Sequence, residues 1–193
     1  MKKILAILAV FVFIFGCIGP SEEQVKAQLD SLLGDIEEKY SSSNEKLADE
    51  NNLNIDESAA QIVLAVDAFE DSVNEYCNYY EANKGVLTTN DKLDYEEKCK
   101  KYSSASVCHS SLKEFVESML VFTKEMETSI EYNQDIIDSC YGVAGSAGEV
   151  YSVCYLFEDE YPEMYAELPS AVKEINDPNM EKDLGLNCKF LGG

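Results

Sequence analysis

Apolar residues recur at spacings of three and four along almost the whole chain, and strict alternation is nearly absent, so the pattern predicts helices rather than sheet. The exception lies at the start, where Lys2-Lys3 precede twelve unbroken apolar residues, Ile4 to Phe15, and then Gly16-Cys17. Ser21 and Gln24 form a capping box that opens a first helix, with Val25, Leu29, Leu32, Ile36 and Tyr40 on one face. Two heptads are too few for a lasting coiled coil, so this helix is expected to pack on the body or form a short stalk. Ser41 to Asn52 is polar and turn-rich and reads as a hinge or linker.

A second helix carries Ala59, Ile62, Val66, Phe69, Val73, Tyr76 and Tyr80 and ends at Lys84-Gly85; a shorter third is expected from about Asn90 to Tyr102. The longest is expected from Val107 to Tyr141, with the stripe Leu112, Phe115, Met119, Phe122, Met126, Ile130, Ile137 and Cys140 as core, stopped by Gly142. Ser146 to Glu149 then reads as another capping box, leading into Val150, Val153, Cys154 and Phe157 until Pro162 interrupts. A short helix at 170–175 and an irregular tail after Asp177-Pro178-Asn179 complete the chain.

The leader has a cationic start, an apolar run shorter than the roughly 17–25 residues of a spanning helix, and a small residue at Gly16, which is secretory signal architecture. Ile14-Phe15-Gly16-Cys17 resembles the lipobox of prokaryotic membrane lipoproteins, with Phe15 where that family usually has a small residue. The resemblance is confined to the leader. It implies lipidation of Cys17 and, in the bacterial form, cleavage before it; the competing expectation is an uncleaved membrane anchor. Either way Lys2 and Lys3 stay on the cytoplasmic side and the body lies outside, at the cell membrane. The expected divisions are a signal peptide over 1–16, a lipid-attachment segment over 17–20, an amphipathic helix and linker over 21–52, and a helical body over 53–193.

Charge narrows the partners. The chain has 37 acidic and 15 basic residues, all of the latter lysine. Residues 17–193 lose Lys2 and Lys3 but no acid, leaving 13 − 37 = −24. Such a surface repels nucleic acid and anionic head groups and attracts cations, and without arginine it has no bidentate anion clamp. Nucleic acid is excluded as a partner.

Beyond Cys17, six cysteines remain: Cys77, Cys99, Cys108, Cys140, Cys154 and Cys188. In an exported body they predict three disulfides. Cys77 and Cys99 are equidistant from Thr88 in the intervening turn and are the preferred pair, with Cys99–Cys108 as the rival. A metal site is disfavoured: no Cys-x-x-Cys occurs and His109 is the single histidine.

The search for chemistry yields little. Gly142, Gly145 and Gly148 lack a phosphate-loop continuation, and the Gly145-Ser146 region lacks both the strand and the downstream histidine of a nucleophile elbow. His109, among serines, is expected near a helix start and solvated. The acidic runs Asp91/Asp94/Glu96/Glu97 and Glu158/Asp159/Glu160 match no EF-hand and read as solvated helix faces. Tyrosines cluster at Tyr76/Tyr79/Tyr80, Tyr95/Tyr102 and Tyr151/Tyr155/Tyr161/Tyr165, and they are expected as half-buried core with hydroxyls outward. Beside carboxylates they can also cradle a cationic or polyhydroxy ligand.

The expectation is therefore an all-α, disulfide-stapled bundle of about four to five helices behind a signal or anchor segment. It carries no catalytic residues, metal or cofactor and serves as a lipid-anchored surface interaction or structural module. The alternative is a solute- or cation-capturing lipoprotein that serves a membrane partner.

Overall fold

The computed structural model describes residues 19–48, 55–128 and 134–191; Cys17 and the rest of the leader lie outside them. The fold is all-α and stapled by three disulfides. Among the described residues there are four long helices, α1 (Glu22–Ala48), α2 (Ile55–Asn83), α3 (Thr89–Thr128) and α4 (Gln134–Glu160). Three short ones follow, α5 (Pro162–Tyr165), α6 (Ser170–Ile175) and α7 (Met180–Leu191). No described helix is long and apolar enough to cross a membrane.

The start of α1 has the expected reciprocal cap. Ser21 N–H donates to Gln24 Oε1 at 2.9 Å and Gln24 N–H to Ser21 Oγ at 3.3 Å. Thr88 caps α3 in a different way: its Oγ1 accepts from Asp91 N–H at 3.3 Å, and its hydroxyl donates to the Asp91 carboxylate.

A ladder of side-chain contacts sets α1 parallel to α3. Lys26 pairs with Asp91 (2.7 Å), Tyr95 donates to Asp30 (2.9 Å), Tyr102 donates to Glu37 (3.4 Å), and Ser43 is hydrogen-bonded to His109 (2.8 Å). The residue numbers differ by 65 at the first three rungs (91 − 26 for the ion pair) and 66 at the last, so the register holds over five turns. Between them α2 runs antiparallel, held by Tyr76 and Tyr80 donating to the carbonyls of Tyr95 and Lys92, and by Ser110–Glu70 and Lys113–Asp67 contacts. Val25, Leu29, Ile36, Phe69, Tyr76, Leu112, Val150 and Phe157 fill the core these helices share with the second half of α4.

Cys77 is bonded to Cys99, Cys108 to Cys154, and Cys140 to Cys188. The rival Cys99–Cys108 link is not formed. The break expected between these two cysteines is absent as well, because α3 runs straight through Ser103–Ser106. A mid-helix serine costs only about 0.5 kcal/mol. Burial of Tyr102, Ala105, Cys108, His109 and Leu112 along the same stretch outweighs that.

Other expected boundaries also move. The linker expected at 41–52 is helix as far as Ala48, and Ser43 is buried inside it; residues 49–54 lie outside the described set. Consequently α1 is a layer of the bundle and no separate stalk. Gly142 does not stop a helix, nor does Ser146 cap one. Both lie inside α4, where Ser146 Oγ donates back to the carbonyls of Gly142 and Val143. The stripe Cys140, Val143, Ala144, Ala147, Val150, Cys154 crosses the glycines without interruption and buries against neighbouring helices. The tail expected to be irregular forms α7, pinned along α4 by the Cys140–Cys188 bridge, with the Glu181 carboxylate against Gly148.

The methionine–phenylalanine stripe is core only in part. Leu112 is 1% exposed, but Met119 is 39% and Met126 38% exposed. The ladder explains the change: Ala48, the last residue of α1, falls abreast of residue 113, so the far end of α3 has no α1 beside it.

Candidate binding groove

Two adjoining concavities lie where α1 and α3 meet the α4–α5 corner. The first, of about 460 Å³, is lined by Glu37, Tyr40, Ser41 and Asn44 of α1, Lys101 and Tyr102 of α3, and Met164 and Glu167. The second, of about 350 Å³, is lined by Glu97, Lys101, Glu160, Tyr161, Pro162, Glu163 and Met164. They share Lys101 and Met164, and together the adjoining concavities make a grooved surface with five glutamates against a single lysine.

Helical spacing builds the first wall: Glu37, Tyr40, Ser41 and Asn44 recur at three and four along α1, beside the buried face of Ile36, Tyr40 and Ser43. Pro162 supplies the second. It cannot continue α4, so the chain turns, and α5 delivers Met164 beneath Tyr40, whose hydroxyl donates to the Met164 carbonyl at 2.8 Å. Tyr102 donates to Glu37, and Lys101 Nζ sits 5.4 Å from the Tyr102 ring centroid. Burial pushes the Tyr40 hydroxyl up to about 12, with the charge of Glu167 adding to it. Burial and the Glu37 carboxylate do the same to Tyr102, also to about 12. Both phenols are therefore neutral donors at any physiological pH. Asn44 contributes a side-chain oxygen that is buried without a hydrogen-bond partner.

Behind the groove lies His109, which overturns the expectation of a solvated side chain. It is fully buried, its Nδ1 bonded to Ser43, and its ring 5.3 Å from that of Tyr40 and 5.1 Å from that of Phe69. Its Nε2 has no partner, and burial lowers its pKa to about 3. The neutral imidazole packs behind the tyrosine wall, with its hydrogen-bond partner Ser43 buried beside it.

The groove gathers Tyr102, Tyr161, Glu97 and Glu160 from separate runs of the sequence. Tyr40, Glu37, Asn44 and Glu167 had no chemical signal of their own; Tyr40 was expected only as core. The other tyrosine clusters stay apart from it: Tyr76, Tyr80 and Tyr95 are buried, and Tyr151 and Tyr155 pair with each other at 5.8 Å. The six body cysteines are consumed in bridges, and among the described residues no group of three histidine, cysteine or acidic side chains is placed to hold a metal ion. Comparison with protein-family models, curated proteins and solved structures finds no match for this chain.

Proposed function

We propose that this protein is a non-catalytic binding module, tethered outside the cytoplasm through Cys17, that captures a cationic ligand in the groove between α1, α3 and the α4–α5 corner. The observation that carries the reading is five glutamates and three tyrosines lining two adjoining concavities with one lysine shared between them. An ammonium group entering there meets carboxylates for charge and tyrosine rings for cation–π contact. The combined volume suits a small ligand or one extended basic side chain of a protein partner. A polyhydroxy ligand fits less well, because the hydroxyls of Tyr40 and Tyr102 are already committed to Met164 and Glu37.

Thermal unfolding of the intact protein in diamines, polyamines, amino sugars and neutral sugars tests this. A bound amine at a hundred times its Kd adds about 2.7 kcal/mol, which raises Tm by roughly 5–10 °C. The rise should shrink with salt and vanish in the Glu37→Gln/Glu167→Gln double variant. A flat response to every amine, or an equal rise in the double variant, refutes the groove.

A further inference from the structure

We infer that the end of the bundle formed by the start of α1 and the α2–α3 turn rests on the membrane, with Val86 and Leu93 entering the head-group layer beside Lys84 and Lys92. This rests on the tethered reading above and adds a second, non-covalent contact with the bilayer.

The ladder decides which end is near the tether. Lys26, in the first turns of α1, pairs with Asp91 in the first turn of α3, so the start of α1 and residues 84–93 share one end of the molecule. From Cys17 to Glu22 the chain spans at most about 18 Å even if fully extended. Whether Cys17 bears a lipid or follows a retained anchor, that end cannot stray further from the surface. At this end Val86 is 43% and Leu93 62% exposed, although Leu87 between them is buried and closes the core.

Charge points the same way. At the near end Glu22, Glu23, Glu81, Asp91 and Asp94 face Lys26, Lys84 and Lys92, a net −2 in a body of −24. The opposite end of α3, Glu114 to Thr128, also exposes apolar side chains, Met119, Val121 and Met126. There, however, four glutamates of α3 and Asp56 and Glu57 of α2 face one lysine, a net −5. An anionic leaflet repels that end more strongly than the near one. Val86 and Leu93 each lie within two residues of a lysine, Lys84 and Lys92, so apolar tips can sink while the ammonium groups stay among the head groups.

The chain has no tryptophan, so a single introduced one reports its own surroundings. Leu93→Trp and Val86→Trp probe the near end; Met126→Trp probes a point about 50 Å away along the same helix. Each full-length variant is purified with its anchor and reconstituted into phosphatidylcholine vesicles containing phosphatidylglycerol and brominated acyl chains. Flotation is measured beside emission, and circular dichroism checks that each variant is folded. The inference predicts floating protein, with blue-shifted, bromine-quenched emission from positions 86 and 93 and water-like, unquenched emission from 126. Floating protein with the near-end probes unquenched, or with all three quenched, overturns the contact and leaves the tether standing. Protein that does not float overturns the tether and the contact together.

Discussion

Below pH 6.5 the buried imidazole of His109 should make folding stability fall in a way a single substitution can isolate. Burial lowers its pKa from 6.5 to about 3. The unfolded chain therefore binds a proton between those values that the folded chain refuses. The associated stability is complete above the unfolded value and is lost as pH falls toward the folded one. The slope approaches about 1.4 kcal/mol per pH unit, which amounts to about 3 kcal/mol between pH 7 and pH 4. The carboxylates also titrate in that window, so the wild type alone does not isolate the effect. His109→Phe keeps a flat ring between Tyr40 and Phe69 and leaves Ser43 without its partner, a pH-independent penalty of about 1–3 kcal/mol. Urea unfolding of both proteins across this range gives the test, since shared carboxylate effects cancel in the difference. The stability advantage of wild type over variant should shrink steadily on acidification. His109 is the sole histidine, so its ring resonances can be followed directly, and they should stay in the neutral position down to about pH 4.5. Parallel stability curves, or an imidazole titrating near 6.5, would refute the buried placement.

Two further outcomes are expected. Gly142→Ala and Gly145→Ala should each stabilise the protein by about 0.5–1 kcal/mol in urea titrations, because both lie mid-helix with open space where a Cβ would go; a loss would mean that α4 breaks there. Peptide mapping without reduction should recover the 77–99, 108–154 and 140–188 bridges, and graded reductant should open the half-buried Cys77–Cys99 before the fully buried Cys108–Cys154. Removing the latter by Cys108→Ala/Cys154→Ala should cost about 4 kcal/mol by restoring freedom to the unfolded chain.

Helix content, the α1 cap, the core stripes of α1 and α2, and the Cys77–Cys99 hairpin were all legible in local spacing, because each depends on residues within one or two elements. Boundaries failed where propensity and burial disagreed. Ser103–Ser106 and Gly142–Gly148 carry turn-forming residues, yet the stripes through Ala105–Cys108 and Val143–Ala147 kept those helices whole. The tail misled for a similar reason, since α7 is ordered by a bridge to Cys140 some 48 residues away. The groove was the least legible part. Its tyrosines and glutamates are ordinary in sequence, and only the parallel register of α1 on α3, with the turn at Pro162, brings Tyr40, Tyr102 and Glu167 together. His109 was misplaced because its serine-rich neighbours suggested solvent, whereas Ser43 on a distant helix was its partner.

The distribution of bridges has a mechanical consequence. Sulfur–sulfur bonds lace α2 to α3, α3 to α4 and α4 to α7, whereas α1 contains no cysteine. A pull entering ahead of Glu22 therefore acts on the one long helix that side chains alone hold in place. Because its rungs on α3 lie along the direction of such a pull, they resist in shear, and if they yield, one wall of the groove leaves while the laced helices stay whole.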